Sequence, residues 1–166
     1  DGVSLEYDAD ADSVAAAIAK ISPADADGYR RFLQYAGATI EKGYLELGTV
    51  PFQDPWSMIR RIPLLVGLKA YRSAYDVVAS YLKDPHLRQA FSFQSLLIGG
   101  NPFAVSAIYT LIHALERQWG VHFPRGGTHS LVLALAKRFQ ELGGELRLSS
   151  PVAELRERGG RITEVC

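Results

Sequence analysis

Apolar residues recur three and four positions apart over much of the chain, which is the spacing of one face of an α-helix. The longest such run follows Ser22 and Pro23, a capping residue and a proline suited to the first helical position. This run predicts a helix that continues to Leu47 and buries a stripe made of Tyr29, Phe32, Leu33, Ala36, Ile40, Tyr44 and Leu47. Shorter runs predict helices at residues 12–20, 73–84, 84–93, 102–120 and 128–142.

Alternating apolar and polar positions predict strands near both ends of the chain. The candidates are residues 3–7, residues 121–123 and a strand followed by a hairpin in residues 144–165, with its turn at Gly159 and Gly160. The predicted fold class is therefore α+β, mainly helical with a small β-sheet. Because the chain starts and stops within apparent strands, we expect an internal piece of a longer protein whose remaining strands complete the sheet.

The middle of the chain is almost free of charge. Residues 89–115 contain no Asp, Glu, Lys or Arg, a length that raises the question of a membrane span. The sequence Gly99-Gly100-Asn101-Pro102 interrupts the run, and polar side chains are scattered through it. Two apolar elements that pack in the interior, or that line an apolar cavity, fit this pattern better.

The preceding segment, residues 56–72, combines apolar residues with Arg60, Arg61, Lys69 and Arg72, and no acidic residue lies between Asp54 and Asp76. Apolar and basic residues together are typical of a surface that lies against a membrane. A pair of short helices split by Pro63, with solvated basic faces, explains the same pattern.

Composition excludes several classes of function. The 166 residues carry a net charge of zero, and no basic excess or recognition motif indicates a nucleic-acid partner. The single cysteine excludes a disulfide framework, and the four histidines have no metal-binding spacing. The stretch RGGTHSL does not match the glycine fingerprint of dinucleotide-binding folds, so Gly126 and Gly127 indicate a tight turn. The residues alone leave the reaction open.

One long stretch is far more specific. The sequence LRQAFSFQSLLIGGNPFAVSAIYTLIHALERQWGVHFPRGGTHSL, residues 87–131, resembles the bacterial and fungal phytoene desaturases, which are FAD-dependent carotenoid desaturases. GYRRFLQYAGATIEKGYLELGTVPF upstream and LAKRFQELGGELRLSSPVAEL downstream resemble the same family in the same order. The resemblance covers nearly the whole chain.

The resemblance implies a two-domain flavoprotein related to monoamine oxidases, of which this chain is the substrate side. Residues 1–122 would form the helical substrate-binding region with an N-terminal strand, and residues 123–166 would lead back to the FAD-binding domain. The Rossmann-type part would lie outside the chain, so the piece alone is expected to be inactive and not to hold FAD. The resemblance does not indicate the oligomeric state.

The implied reaction is the dehydrogenation of phytoene or a related long polyene in carotenoid biosynthesis, with quinone or oxygen as electron acceptor. The protein would be cytoplasmic and peripheral to the membrane, where segment 56–72 would dock. A related isomerase, oxygenase or saturase, or a non-catalytic module that binds apolar ligands or membranes, are the alternatives.

The implied site residues are few. Arg60 matches an arginine suggested to sit at the active site, although Trp56 and Ser57 replace its usual charged neighbours. Val152 matches a valine whose backbone meets the adenine of FAD. The candidates for the substrate site are apolar side chains that would line a tunnel and the two glycines of the tight turn. They are Phe91, Phe93, Leu97, Phe103, Tyr109, Ile112, Gly126 and Gly127.

Overall fold

A computed structural model describes residues 4–51 and 54–166 of the chain. It contains two compact units, Asp1–Val121 and His122–Cys166. The α-helices of the first unit are α1 (Ala11–Ile21), α2 (Ala26–Thr39), α3 (Pro55–Gly67), α4 (Ala74–Ala79), α5 (Pro85–Ser92) and α6 (Leu111–Trp119). Short 3₁₀ turns at Pro23–Asp25, Phe93–Ile98 and Ala107–Thr110 and a π-helix at Ile40–Leu45 connect or extend them. The second unit holds α7 (Gly127–Glu141) and the strands β1 (Leu155–Arg158) and β2 (Arg161–Val165).

The core of the first unit lies between α1, α2, α4 and α5. Its buried members are Val14, Ala15, Ile18, Tyr29, Phe32, Val78, Leu82, Leu87 and Phe91. The rings of Tyr29 and Phe91 lie 5.1 Å apart, and Phe32 meets Phe91 edge to face. Burial of such side chains is the main stabilising contribution to a fold of this kind.

The predicted stripe of the long helix is confirmed at most positions and wrong at Tyr44. Tyr29, Phe32 and Ala36 are fully buried, whereas Tyr44 is 58% exposed. Tyr44 lies inside the π-helix at Ile40–Leu45, whose wider turn does not keep the side-chain spacing of a regular α-helix.

A buried carboxylate joins the start of α2 to the turn before α5. Asp25 accepts hydrogen bonds from the backbone N–H groups of Lys83 and Asp84 at 2.7 and 2.8 Å. Burial alone would raise the pKa of Asp25, but these two amides outweigh it and hold the pKa below its ordinary value. Asp84 in turn caps α5 through His86 and Leu87, as its position before Pro85 predicts.

One expected helix break and three expected strands are wrong. Pro63 does not split its segment, because α3 runs continuously through it and loses only the hydrogen bond that the proline cannot donate. Residues 4–10, 121–123 and 144–148 form no strand, since none of these segments pairs with a second one in the described residues. An alternation of apolar and polar residues predicts which face of a strand would be apolar. It does not show that a second strand is available for pairing.

The predicted hairpin is confirmed. Strands β1 and β2 pair antiparallel, with Leu155 opposite Val165 and Arg158 opposite Arg161. Gly159 and Gly160 both have positive φ, 63° and 75°, which is what a two-residue turn between such strands requires. The helix predicted at residues 128–142 is observed as α7, which ends just before Gly143 at φ 88°.

Candidate functional site

A groove of about 840 Å³ opens on the surface of the first unit. Four elements form it: the N-terminal segment, α5, the following 3₁₀ turn and the end of α6. Its lining residues are Leu5, Tyr7, His86, Gln89, Ala90, Phe91, Phe93, Gln94, Leu97, Glu116 and Val121. The largest uncharged run of the sequence therefore supplies most of its wall.

The walls of the groove are apolar because the chain turns sharply within its uncharged middle. The 3₁₀ turn at Phe93–Ile98 leaves Phe93 and Leu97 exposed, while Phe91, two residues before the turn begins, is buried in the core. The 3₁₀ turn is capped by Gly99 in the left-handed conformation, φ 71°, which stops the element where the sequence predicts a break. Exposed apolar groups that line a concave surface are typical of a ligand site.

The floor of the groove carries a polar cluster. The hydroxyl of Tyr7 donates to Glu116 Oε2 at 2.8 Å and lies 3.0 Å from His113 Nδ1. His113 Nε2 donates to the carbonyl oxygen of Phe91 at 2.6 Å. Gln94 Nε2 lies 3.5 Å from both the Tyr7 hydroxyl and Glu116 Oε2. The cluster thus joins the N-terminal segment, α5 and α6 beneath the apolar walls.

Burial sets the protonation of this cluster. His113 is 1% exposed, and burial lowers its pKa to about 4, against the smaller opposing effect of its bond to the Phe91 carbonyl. Its imidazole is therefore neutral near pH 7, with the hydrogen on Nε2. Burial, and next the bond to Glu116, raise the pKa of Tyr7 well above its ordinary value, so its hydroxyl keeps its hydrogen.

The positive charge of the Arg117 guanidinium lies beside the negative charge of the Glu116 carboxylate on the floor of the groove. Arg117 Nη2 lies 3.8 Å from Glu116 Oε2, and both side chains are largely buried. The guanidinium carbon of Arg117 also lies 4.1 Å from the centre of the Tyr7 ring, within reach of a cation–π interaction. The charge of Glu116 is thus held in place by a neighbouring opposite charge.

The sequence-predicted wall residues fall into two groups. Phe91, Phe93 and Leu97 lie together in the groove. Phe103, Tyr109 and Ile112 lie outside it, and Phe103 instead stacks on Tyr75 with ring centres 4.5 Å apart. A substrate role for either group stays a prediction.

The remaining predicted residues lie elsewhere. Arg60 is exposed on α3, a helix that buries none of its residues. Gly126 and Gly127 belong to the second unit and have φ of 81° and 82°, so they form the tight turn that opens α7. The hydroxyl of Ser130 closes this turn, because its Oγ lies 2.6 Å and 2.7 Å from the carbonyl oxygens of Arg125 and Gly127 and donates its one hydrogen to either of them.

Three polar residues of the groove escape pattern analysis, namely Tyr7, Gln94 and Glu116. Tyr7 lies in a segment that alternates like a strand, and Gln94 is one of several scattered polar residues. Glu116 offers the one usable signal, because it is the first charged residue after the long uncharged run.

The second unit offers one backbone position that fits the expected adenine contact. Val152 is exposed in the irregular stretch before β1, and no backbone–backbone hydrogen bond of its peptide is seen within the described residues. A peptide N–H or C=O in such a stretch can pair with the edge of an adenine ring. The residues present are therefore compatible with FAD at this point.

None of the helices in residues 4–51 and 54–166 is both long and apolar enough to cross a bilayer. The exposed face of α3 nonetheless shows Trp56, Met58, Ile59, Ile62 and Val66 beside Arg60. We call this surface the α3 face.

Comparison with known proteins connects these features. The chain is 54% identical over 164 residues to a lycopene-forming phytoene desaturase of Pantoea ananas. The aligned region covers 99% of this chain and 33% of that protein. It is 42% identical over 153 residues to a neurosporene-forming phytoene desaturase of Rhodobacter capsulatus, covering 92% and 29%. A 4,4'-diapolycopene oxygenase of Methylomonas is 26% identical over 168 residues, covering 99% and 34%.

The chain thus spans about a third of the length of the curated relatives it matches. Residues 13–166 match the family of flavin containing amine oxidoreductases. This match takes in α1 from Ser13 onward, α2 to α6, the groove residues other than those of the N-terminal segment, and the whole second unit. The chain belongs to the flavin containing amine oxidoreductase family.

Proposed function

We propose that the full natural protein carrying this chain is an FAD-dependent desaturase that dehydrogenates phytoene or a related long polyene in carotenoid biosynthesis. The observation that carries the proposal is the 54% identity, over nearly the whole chain, to a lycopene-forming phytoene desaturase. The division of labour predicted from the sequence belongs to this proposal: residues 1–122 serve the substrate, and residues 123–166 lead toward the cofactor.

The groove supports this proposal by its chemistry. A polyene hydrocarbon has no polar handle, so a protein recognises it by shape and by removal of apolar surface from water. Phe93 and Leu97 are exposed along the groove, and Phe91 backs it from the core. Each 100 Å² of apolar surface covered by such a ligand would contribute about 2.5 kcal/mol before the entropic cost of binding.

FAD, when bound, supplies the oxidant that takes up a hydride equivalent from one carbon of the polyene while a proton leaves its neighbour. This chain would contribute the peptide of Val152 toward the adenine and the apolar wall that orients the hydrocarbon and excludes water. Quinone or oxygen would serve as the final electron acceptor.

The α3 face supports a peripheral position on the membrane in which the substrate dissolves. Its apolar side chains are exposed, and Arg60 stands among them as a cation suited to anionic headgroups. Two roles are open to Arg60, a charge at the active site and a contact with lipid. Its exposure on a helix without buried residues favours the lipid contact. A cytoplasmic protein docked on the inner leaflet is the arrangement we propose.

The proposal is tested with the full natural protein, FAD and liposomes that contain phytoene, under quinone or under air. Visible absorbance that grows with time would report an extended polyene. Chromatography of the products separates desaturation from isomerisation and oxygenation, which are the reactions of the alternatives. If the protein binds phytoene liposomes but no product forms with either acceptor, the non-catalytic alternative replaces the desaturase.

A further inference from the structure

Three ionisable side chains line the groove within the described residues, namely Tyr7, His86 and Glu116. Burial, and next the bond to Glu116, hold the pKa of Tyr7 above its ordinary value, so Tyr7 keeps its hydrogen. The side chain of His86 is 83% exposed and therefore stands largely in water. Glu116 is left as the group that can accept a proton from a molecule inside the groove.

The contacts of the Glu116 carboxylate fall on one of its two oxygens. Oε2 accepts a hydrogen bond from the Tyr7 hydroxyl at 2.8 Å. The same oxygen lies 3.5 Å from Gln94 Nε2 and 3.8 Å from Arg117 Nη2. Oε1 takes part in none of these contacts, and the side chain lines the groove with 14% of its surface exposed. Oε2 thus fixes the carboxylate, and Oε1 is the oxygen available to a molecule in the groove.

Arg117 lies beside this carboxylate without lining the groove. Its side chain is only 11% exposed, and its Nε and Nη1 are buried and have no hydrogen-bond partner. A molecule in the groove therefore meets the carboxylate of Glu116 and the apolar side chains of Phe93 and Leu97, and it does not meet the guanidinium.

The proposed dehydrogenation creates positive charge on a hydrocarbon. When a hydride leaves one carbon of the polyene, the carbon keeps a positive charge and the C–H bond of its neighbour becomes strongly acidic. A carboxylate that is held in apolar surroundings attracts such a charge more strongly than it would in water. A carboxylate is also a sufficient base, because the proton leaves a cation and not a neutral hydrocarbon.

We propose that Glu116 is the catalytic base of this dehydrogenation, an inference that rests on the proposed function. The C–H bond next to the cationic carbon breaks, its electron pair forms the new C=C bond, and its proton binds Glu116 Oε1. The hydride and its electron pair go to the oxidised flavin. The proton then passes from Glu116 to water, since part of the side chain is exposed.

The first test compares Glu116→Gln with Glu46→Gln, which makes the same chemical change at an exposed glutamate of the first unit. Both variants are made in the full natural protein and assayed at equal FAD content with phytoene in liposomes. Glu116→Gln should lower kcat by about a hundredfold or more, the usual loss when a general base is removed. Its KM should change by less than about threefold, because the amide keeps the shape of the groove. Glu46→Gln should keep the wild-type kcat.

The second test measures the recognition of charge without catalysis. The probes are diphenylhexatriene and its trimethylammonium derivative, two fluorescent polyenes that differ by one cation, titrated into the same proteins without phytoene or lipid. The cationic probe should bind wild type and Glu46→Gln about tenfold more tightly than the neutral probe, because it meets the carboxylate. In Glu116→Gln the charge of Arg117 is unbalanced, so the two affinities should lie within about twofold of each other.

Glu116→Asp keeps the charge but withdraws it by one methylene group. It should retain the preference for the cationic probe and lose less of kcat than Glu116→Gln, and it decides the question if the glutamine variant fails to fold.

The two proposals fail in different ways. A wild-type protein that forms no product overturns the proposed function, and the base role with it. If the wild type is active, the base role alone is overturned when Glu116→Gln keeps kcat within about threefold of wild type, or when it keeps the full preference for the cationic probe.

Discussion

The hydroxyl of Tyr7 donates to Glu116 Oε2 at 2.8 Å across 109 residues of sequence. The bond fixes the irregular N-terminal segment against α6 and so makes Leu5 and Tyr7 part of the groove wall. Neither Tyr7 nor Glu116 belongs to a recognisable sequence motif. The two residues lie near opposite ends of the first unit, whose described residues contain no sheet. The contacts of the Tyr7 hydroxyl therefore hold one side of the candidate site in place.

Tyr7→Phe should destabilise the protein although it keeps the ring. The change removes the hydrogen that Glu116 Oε2 accepts at 2.8 Å, and the loss of a donor to a largely buried acceptor costs about 1–3 kcal/mol. Urea unfolding of the full natural protein measures the loss. Tyr71→Phe, at a ring that is 74% exposed, is the control and should stay within about 0.5 kcal/mol of wild type. Equal effects of the two changes would contradict the role of Tyr7.

His113 should make the protein less stable as the pH falls from 6.5 to 4. Its pKa is lowered from 6.5 to about 4 in the folded chain, so the unfolded chain binds more protons within this window. The linked loss approaches about 3 kcal/mol at the acid end and is absent above pH 6.5.

His113→Gln removes the titration, and its unfolding free energy should lack this component when measured across the same pH range. His129→Gln, at an exposed histidine, should keep the slope of wild type. A His113→Gln variant with an unchanged pH slope would show that the imidazole is not the group that titrates.

Two glycines of α2 should respond in opposite directions to alanine. A Cβ on Gly28 would overlap the carbonyl oxygen of Tyr81, a backbone atom that cannot rotate away, whereas a Cβ on Gly37 meets nothing within 4 Å. Gly28→Ala should cost about 2 kcal/mol or more through overpacking. Gly37→Ala should stabilise by about 0.5–1 kcal/mol, because alanine is the better helix former.

Thermal unfolding of the two variants side by side provides the measurement. A stabilised Gly28→Ala would mean that α2 and the Tyr81 turn do not approach as closely as described.

The α3 face should bind anionic lipid. Arg60→Glu is expected to weaken co-sedimentation with liposomes containing phosphatidylglycerol by about tenfold, since each basic residue near such a surface contributes about 1 kcal/mol. Arg31→Glu makes the same charge change at an exposed arginine of α2 and serves as the control. Binding that is lost equally in both variants would indicate a general charge effect and not a docking face.

The sequence specifies the helical frame well because that frame depends on local signals. The cap at Asp84, the helix start at Pro23 and the periodic run through Phe32 depend on neighbours in the sequence. The π-helix that exposes Tyr44 and the continuous helix through Pro63 depend on tertiary packing, which overrides local preference. The expected strands failed where no partner strand meets them.

Only the apolar part of the candidate site could be predicted from the sequence. An uncharged run between charged segments indicates an apolar wall, and of the six wall candidates that the resemblance implied, Phe91, Phe93 and Leu97 line the groove. The polar floor unites residues 7, 94 and 116, and no spacing rule relates positions so far apart. Only the fold brings their side chains together.

The central claim is that the groove holds the polyene on which the full protein acts, and adjacent leucines of one 3₁₀ turn test it most directly. Leu97 lines the groove and is 70% exposed, whereas Leu96 is 49% exposed and lies outside it. The measurement is the initial rate of coloured-product formation as a function of phytoene concentration, for Leu97→Gln and Leu96→Gln with equal FAD content.

We predict that Leu97→Gln raises the KM for phytoene by about tenfold, since a buried amide without a partner costs about 1–3 kcal/mol, while Leu96→Gln keeps the wild-type KM. Equal kinetics of the two variants, or a wild-type protein that forms no coloured product, would contradict the account.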